Sequence, residues 1–136
     1  MRKQWVLIVE DDKLDRFLIE HAFKKLETSV EFDFAHDAES AWETLENGNR
    51  PTLIVTDLNM PGIGGMELLS RIKRSDQLKT IPTIVFSTSS DDEDLREAYN
   101  RFANSYVVKP GDAGGYSRFA ERVNSYWMQE NRYLCH

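Results

Sequence analysis

Apolar residues in this chain fall into two kinds of pattern that alternate from end to end: short unbroken runs, and longer stretches with apolar positions three or four apart. The run Trp5-Val6-Leu7-Ile8-Val9 is too short for a buried helix and predicts a central strand, with Glu10-Asp11-Asp12 at its carboxyl end. Asp12 suits the N-cap of a first helix whose apolar row is Leu14, Leu18, Ala22 and Leu26, flanked by Phe17. Val30, Phe32 and Phe34 then alternate with Glu31 and Asp33, the pattern of a strand with one wet face, such as an edge. Asp37 caps a second helix with Ala38, Ala41, Trp42 and Leu45 inward, and Asn47-Gly48-Asn49 stops it.

Leu53-Ile54-Val55-Thr56 is a third strand that delivers Asp57 to its carboxyl end and breaks into a Gly- and Pro-rich loop. Met66, Leu69 and Ile72 mark a third helix ending in Lys73 and Arg74, and Ile81 to Phe86 a fourth strand opened by Pro82. Ser90 and Glu93 have the spacing of a capping box for a fourth helix with the stripe Leu95, Ala98, Tyr99 and Phe102. Asp91 to Asp94 complement its dipole. Ser105 to Val108 is a fifth strand ending in Lys109-Pro110, and the last helix carries Phe119, Val123, Tyr126 and Trp127, with a weak start at Gly114 and Gly115. Strands alternating with helices predict an α/β doubly wound domain on a parallel five-stranded sheet, in strand order 2-1-3-4-5. Ligands of such a sheet bind outside the carboxyl ends of the first and third strands.

Composition narrows the partners. The chain has 136 residues, with 17 Lys+Arg against 23 Asp+Glu and a net charge of -6. That length fits one domain, a core over about residues 4–128 and a tail over 129–136, with no output domain. The acidic balance argues against nucleic acid or an anionic membrane surface and for a protein or a cation. Short apolar runs, the lack of a secretory signal and the lone Cys135 suggest a protein of the reducing cytoplasm.

The candidate chemistry sits where the strands end. Neighbouring strands lie about 4.8 Å apart, so Asp11, Asp12 and Asp57 crowd one another and call for a cation. Hard oxygen ligands suit Mg2+ better than zinc. A carboxylate beside a metal, a lysine (Lys109) and hydroxyls (Ser87, Thr88) also has the parts of a phosphoryl acceptor. Two other readings compete: a flavodoxin-like FMN carrier, which would share the fold, and a metal-dependent phosphatase with Asp57 as nucleophile. The first lacks a phosphate-cradling loop after the first strand, where Glu10-Asp11-Asp12 stands instead. The second lacks an acid two positions after Asp57, where Asn59 stands.

Val9-Glu10-Asp11-Asp12, Asp57-Leu58-Asn59-Met60-Pro61-Gly62-Ile63-Gly64-Gly65, the strand running into Ser87, and Tyr106-Val107-Val108-Lys109-Pro110 together resemble the receiver domain of two-component response regulators, a flavodoxin-like fold. The resemblance covers nearly the whole chain. It implies that Asp57 accepts a phosphoryl group from a sensor histidine kinase or phosphotransfer protein. It also implies that Asp12, Asp57 and the backbone carbonyl of Asn59 ligate Mg2+, with Asp11 acting through water. Lys109 would pair with the phosphoryl group across a cis bond to Pro110, and Ser87 would donate to it. Tyr106 would swing inward and switch the face of the fourth helix, fifth strand and fifth helix for a protein partner. Thr88 stands where Ala is frequent in the family, which implies slower loss of the phosphoryl group. Among stand-alone receivers, Tyr126-Trp127-Met128 is faintly similar to the single-domain partners of bacterial phytochromes, and Tyr126, Trp127, Tyr133 and Leu134 suggest a dimer patch.

Overall fold

The computed structural model describes residues 4–133; Leu134 and Cys135, named above, lie outside them. The sheet consists of β1 (Trp5–Val9), β2 (Glu31–Ala35), β3 (Leu53–Thr56), β4 (Thr83–Ser87) and β5 (Ser105–Val108). All pairings are parallel, in the order β2-β1-β3-β4-β5. The helices are α1 (Lys13–Lys24), α2 (Ala38–Glu46), α3 (Gly64–Arg74), α4 (Asp92–Asn100) and α5 (Ala113–Arg122). A π-helical segment, Val123–Glu130, continues α5.

Side chains alternate across a strand, and this divides the core in two. Val6, Ile8, Leu53, Val55, Ile84 and Phe86 pack under α1 and α5, against Phe23, Tyr116 and Phe119. Trp5, Leu7, Val9 and Ile54 pack under α2 and α3, against Ala41, Leu45, Leu68 and Ile72. The runs read as central strands are buried at every position, and β2 shows one wet face as an edge does. Asp12 and Asp37 cap α1 and α2 as their sequence contexts suggest.

Four local expectations change. Of the row read along α1, Ala22 is buried and Leu18 and Leu26 pack against the core, but Leu14 and the flanking Phe17 are exposed and the helix buries Ile19 and Phe23 in addition, because the side packed on α5 and the sheet is rotated from that row. The Ser90–Glu93 capping box is not formed: Ser89 accepts from the Asp91 amide at 3.3 Å and donates to Asp94 at 2.5 Å. In the α4 stripe only Ala98 is buried; Phe102 lies beyond the helix at φ 71°, in the left-handed turn that lets the Ala103 amide return to the Ala98 carbonyl at 3.0 Å. The Lys109–Pro110 bond is trans, since no cis peptide occurs among the described residues. Trans is the lower-energy isomer before proline unless the surroundings select the other.

Candidate functional site

Three charged residues extend the strand ladders by one step. The Glu10 amide donates to the Ala35 carbonyl at 3.0 Å, the Asp57 amide to Val9 at 3.2 Å, and the Lys109 amide to Ser87 at 2.7 Å. Each therefore inherits its strand's alternation. Glu10 follows Val6 and Ile8, Asp57 follows Leu53 and Val55, and Lys109 follows Val107, all of which face α1 and α5. Three apolar rows thus end in three charges on one face, at one level.

Lys109 is the hub. Its ammonium donates to Glu10 at 2.6 Å, to Asp15 of α1 at 2.8 Å and to Asp57 at 3.1 Å. Its side chain is 1% exposed, so all three of its donors are spent on carboxylates away from bulk water. Burial disfavours the ammonium, but hydrogen bonds to Asp15 and Glu10 and the charge of Asp57 outweigh it and hold the Lys109 pKa above its usual range. Glu10, 3% exposed, is pushed up to about 7 by burial; the bond from Lys109 opposes this and the charge of Asp57 adds to it. Asp57 itself is fixed at both oxygens, Oδ1 accepting from the Leu58 amide at 2.7 Å and Oδ2 from Lys109.

The start of α3 presses on this corner. A Cβ at position 65 would stand 1.8 Å from the Asp57 carbonyl oxygen, so only glycine fits there. Behind Lys109, Gly115 plays the same part: a Cβ there would lie 2.2 Å from the Pro110 ring.

Oxygen atoms of Glu10, Asp11 and Asp57 all lie within 4.8 Å of one another. Carboxylates alone, buried or half-buried and in excess over the one ammonium, fit a hard divalent cation. The residue that joins this group is Glu10 and not Asp12, which sequence reasoning put there. Asp12 is exposed, with its carboxylate turned to the Asp15 amide at 2.9 Å as the cap of α1. One carboxylate cannot cap the helix and face the sheet end at once. The alternation of β1 was the available signal for Glu10; nothing local marks Asp15 or Tyr116, which meet the site only because α1 packs on α5.

The remaining candidates line the rim. Ser87 ends β4, wholly buried, and accepts from the Ser89 amide at 3.2 Å. Thr88 beside it and Asn59 beyond Asp57 are exposed. Tyr106 of β5 is half-buried and donates to the Ser89 carbonyl at 2.8 Å, which ties the edge strand to the β4–α4 connection.

Residues 6–116 match the family model described as the response regulator receiver domain. A probable methanogenesis regulatory protein, FilR2 of Methanothrix harundinacea, is 38% identical over 93% of this chain and 85% of that protein. Response regulator Rcp1 of Synechocystis is 32% identical over 91% of this chain and 88% of its own. Its Mn2+-bound crystal structure superposes with a TM-score of 0.88, covering 98% of this chain and 100% of that one at 29% identity. The phosphorylated cyanobacterial phytochrome response regulator RcpA superposes with a TM-score of 0.91, at 28% identity and the same coverage.

Proposed function

The chain belongs to the response regulator receiver domain family, and from that membership we propose that Asp57 accepts a phosphoryl group from a phosphohistidine of a sensor histidine kinase or phosphotransfer protein. Receiver domains are signalling proteins; that this one catalyses its own phosphorylation and dephosphorylation is part of the proposal. The observation that carries it is the Lys109 ammonium 3.1 Å from a carboxylate that also belongs to a cluster of acids.

An Asp57 oxygen attacks phosphorus as the phosphorus–nitrogen bond of the donor breaks; the electron pair leaves with the imidazole, which takes its proton from solvent. Holding both Asp57 oxygens presents the carboxylate in one orientation before the donor arrives. Lys109 neutralises charge as the phosphoryl oxygens approach. Glu10, Asp11 and Asp57 fit Mg2+, with the Asn59 carbonyl as a further ligand suggested by the resemblance; when bound, the ion neutralises phosphoryl charge. Asp12 keeps its place as the α1 cap.

The Ser87 hydroxyl, an acceptor now, can donate its own proton to a phosphoryl oxygen. Drawing Ser87 inward disturbs Ser89, whose carbonyl holds Tyr106, and so reaches the face of α4, β5 and α5. That face reads out to a protein partner in the cytoplasm. An apolar groove of about 330 Å3 follows the β5 edge, bordered by Val108, Tyr126 and Trp127, and supports a homodimer there. A monomer at all concentrations in sedimentation, with and without beryllium fluoride, removes the dimer.

Incubation with Mg2+ and acetyl phosphate, read by intact mass, tests the reading: the wild type gains one phosphoryl group and Asp57→Asn gains none. Equal gain, or none in either, overturns it. Thr88, at the rim, slows attack by water, so phosphorylated Thr88→Ala decays faster than the wild type; equal decay removes that role.

A further inference from the structure

Lys109 has three acceptors, and two of them, Glu10 and Asp57, belong to the group suited to a divalent cation. Asp15 does not. It comes from α1, not from a strand end, and the Tyr116 hydroxyl of α5 donates to its second oxygen at 3.2 Å. Tyr116 is buried, and its ring meets Phe86 edge-on at 5.6 Å, so the donor stands on a fixed base. A cation engaging Glu10 and Asp57 competes with Lys109 for both. Asp15 is then the carboxylate left to hold the ammonium near the reacting centre.

We propose that Asp15, braced by Tyr116, is a positioning residue that anchors Lys109 for phosphoryl transfer when the other two carboxylates are drawn to the metal. The proposal rests on the reading of Asp57 as phosphoacceptor. Asp15 touches neither phosphorus nor the metal group; it acts through Lys109. The contact between Lys109 and Asp57 is the longest of the three, as expected of an ammonium held back from the nucleophile and open to an incoming phosphoryl oxygen.

The test measures phosphorylation by acetyl phosphate at saturating donor, the half-saturating donor concentration, and Mg2+ affinity by calorimetry. In Asp15→Asn the saturated rate falls by roughly tenfold, within the up to about 100-fold that a misplacement of about 1 Å can cost. Donor half-saturation stays within about twofold, since the donor does not touch Asp15, and Mg2+ affinity falls less than the rate, although Lys109 without Asp15 competes harder for Glu10 and Asp57. Tyr116→Phe keeps the ring packing and lowers the rate by about two- to fivefold, one hydrogen bond's worth. In the Asp15→Asn background it has no further effect. Tyr116→Phe alone carries the test if Asp15→Asn does not fold.

Variant rates equal to the wild type overturn the inference, as does a rate loss matched by an equal loss of Mg2+ affinity, or additive effects of the two changes. If the wild type is phosphorylated and the variants match it, only the role of Asp15 fails. A wild type that takes no phosphoryl group overturns this inference together with the functional reading beneath it.

Discussion

The two flanks of the sheet's carboxyl-terminal rim are built to different standards. Where β1, β3 and Lys109 meet, ladder hydrogen bonds extend past the strands, side chains are almost wholly buried, and the start of α3 closes against backbone with room for no methyl group. On the other flank α4 buries only Ala98, β5 has no fully buried residue, and Tyr99, Phe102 and Val108 are exposed. The first flank holds charges that must not move; the second is lightly attached. In the proposed switch this division is useful, because an element that changes position on signal must be cheap to release, whereas the reacting groups need fixed geometry.

The contrast is broken most severely at Gly65. Gly65→Ala places a methyl group inside van der Waals contact with the Asp57 carbonyl, and we expect a loss of about 3 kcal/mol or more in denaturant unfolding. A loss below about 1 kcal/mol would mean that the corner is as pliant as the α4 flank.

The second test uses pH. The Glu10 pKa rises on folding from 4.5 to about 7, so the folded state holds this proton more tightly than the unfolded chain. The contribution to stability is complete below the unfolded value and is lost as pH climbs through about 7. Metal-free protein should therefore lose up to about 3 kcal/mol across that window, a ceiling set by the size of the shift. Urea unfolding as a function of pH would show it, and saturating Mg2+ should remove most of it. A flat profile without metal would contradict the account of Glu10.

On the loose flank the effects are smaller. Tyr106→Phe removes one hydrogen bond to the Ser89 carbonyl and should cost about 1 kcal/mol, with faster hydrogen exchange confined to β5 and the β4–α4 connection. Exchange that quickens around Asp57 as well would show that the flanks are not independent. The smallest change is Phe102→Gly, which relieves a left-handed backbone at an exposed position and should stabilise by about 0.5 kcal/mol, the gain being reduced by glycine's greater freedom when unfolded.

These differences also explain what was legible beforehand. Continuous apolar runs locate the central strands, and the alternation of Phe32 and Phe34 with Glu31 and Asp33 marks an edge, because burial on one face or two leaves a direct trace in residue order. Asp57 and Lys109 stand where such runs stop, so their place at the rim is equally readable. The α4 stripe misled because Tyr99 and Phe102 fit the helical spacing with no surface to cover them.

Residue order by itself determined the alternation of elements, the parallel sheet, and the delivery of acids and a lysine to one end of it. Which acid turns inward is also carried by residue order, since Glu10 continues the face of Val6 and Ile8 while Asp12 stands where the helix needs its cap. The gathering of Asp15 and Tyr116 around Lys109 was settled by tertiary structure, by the packing of α1 on α5. Those residues are 94 and 101 positions from their partners in sequence, and a pattern with a period of two or of three to four cannot encode a contact at that range.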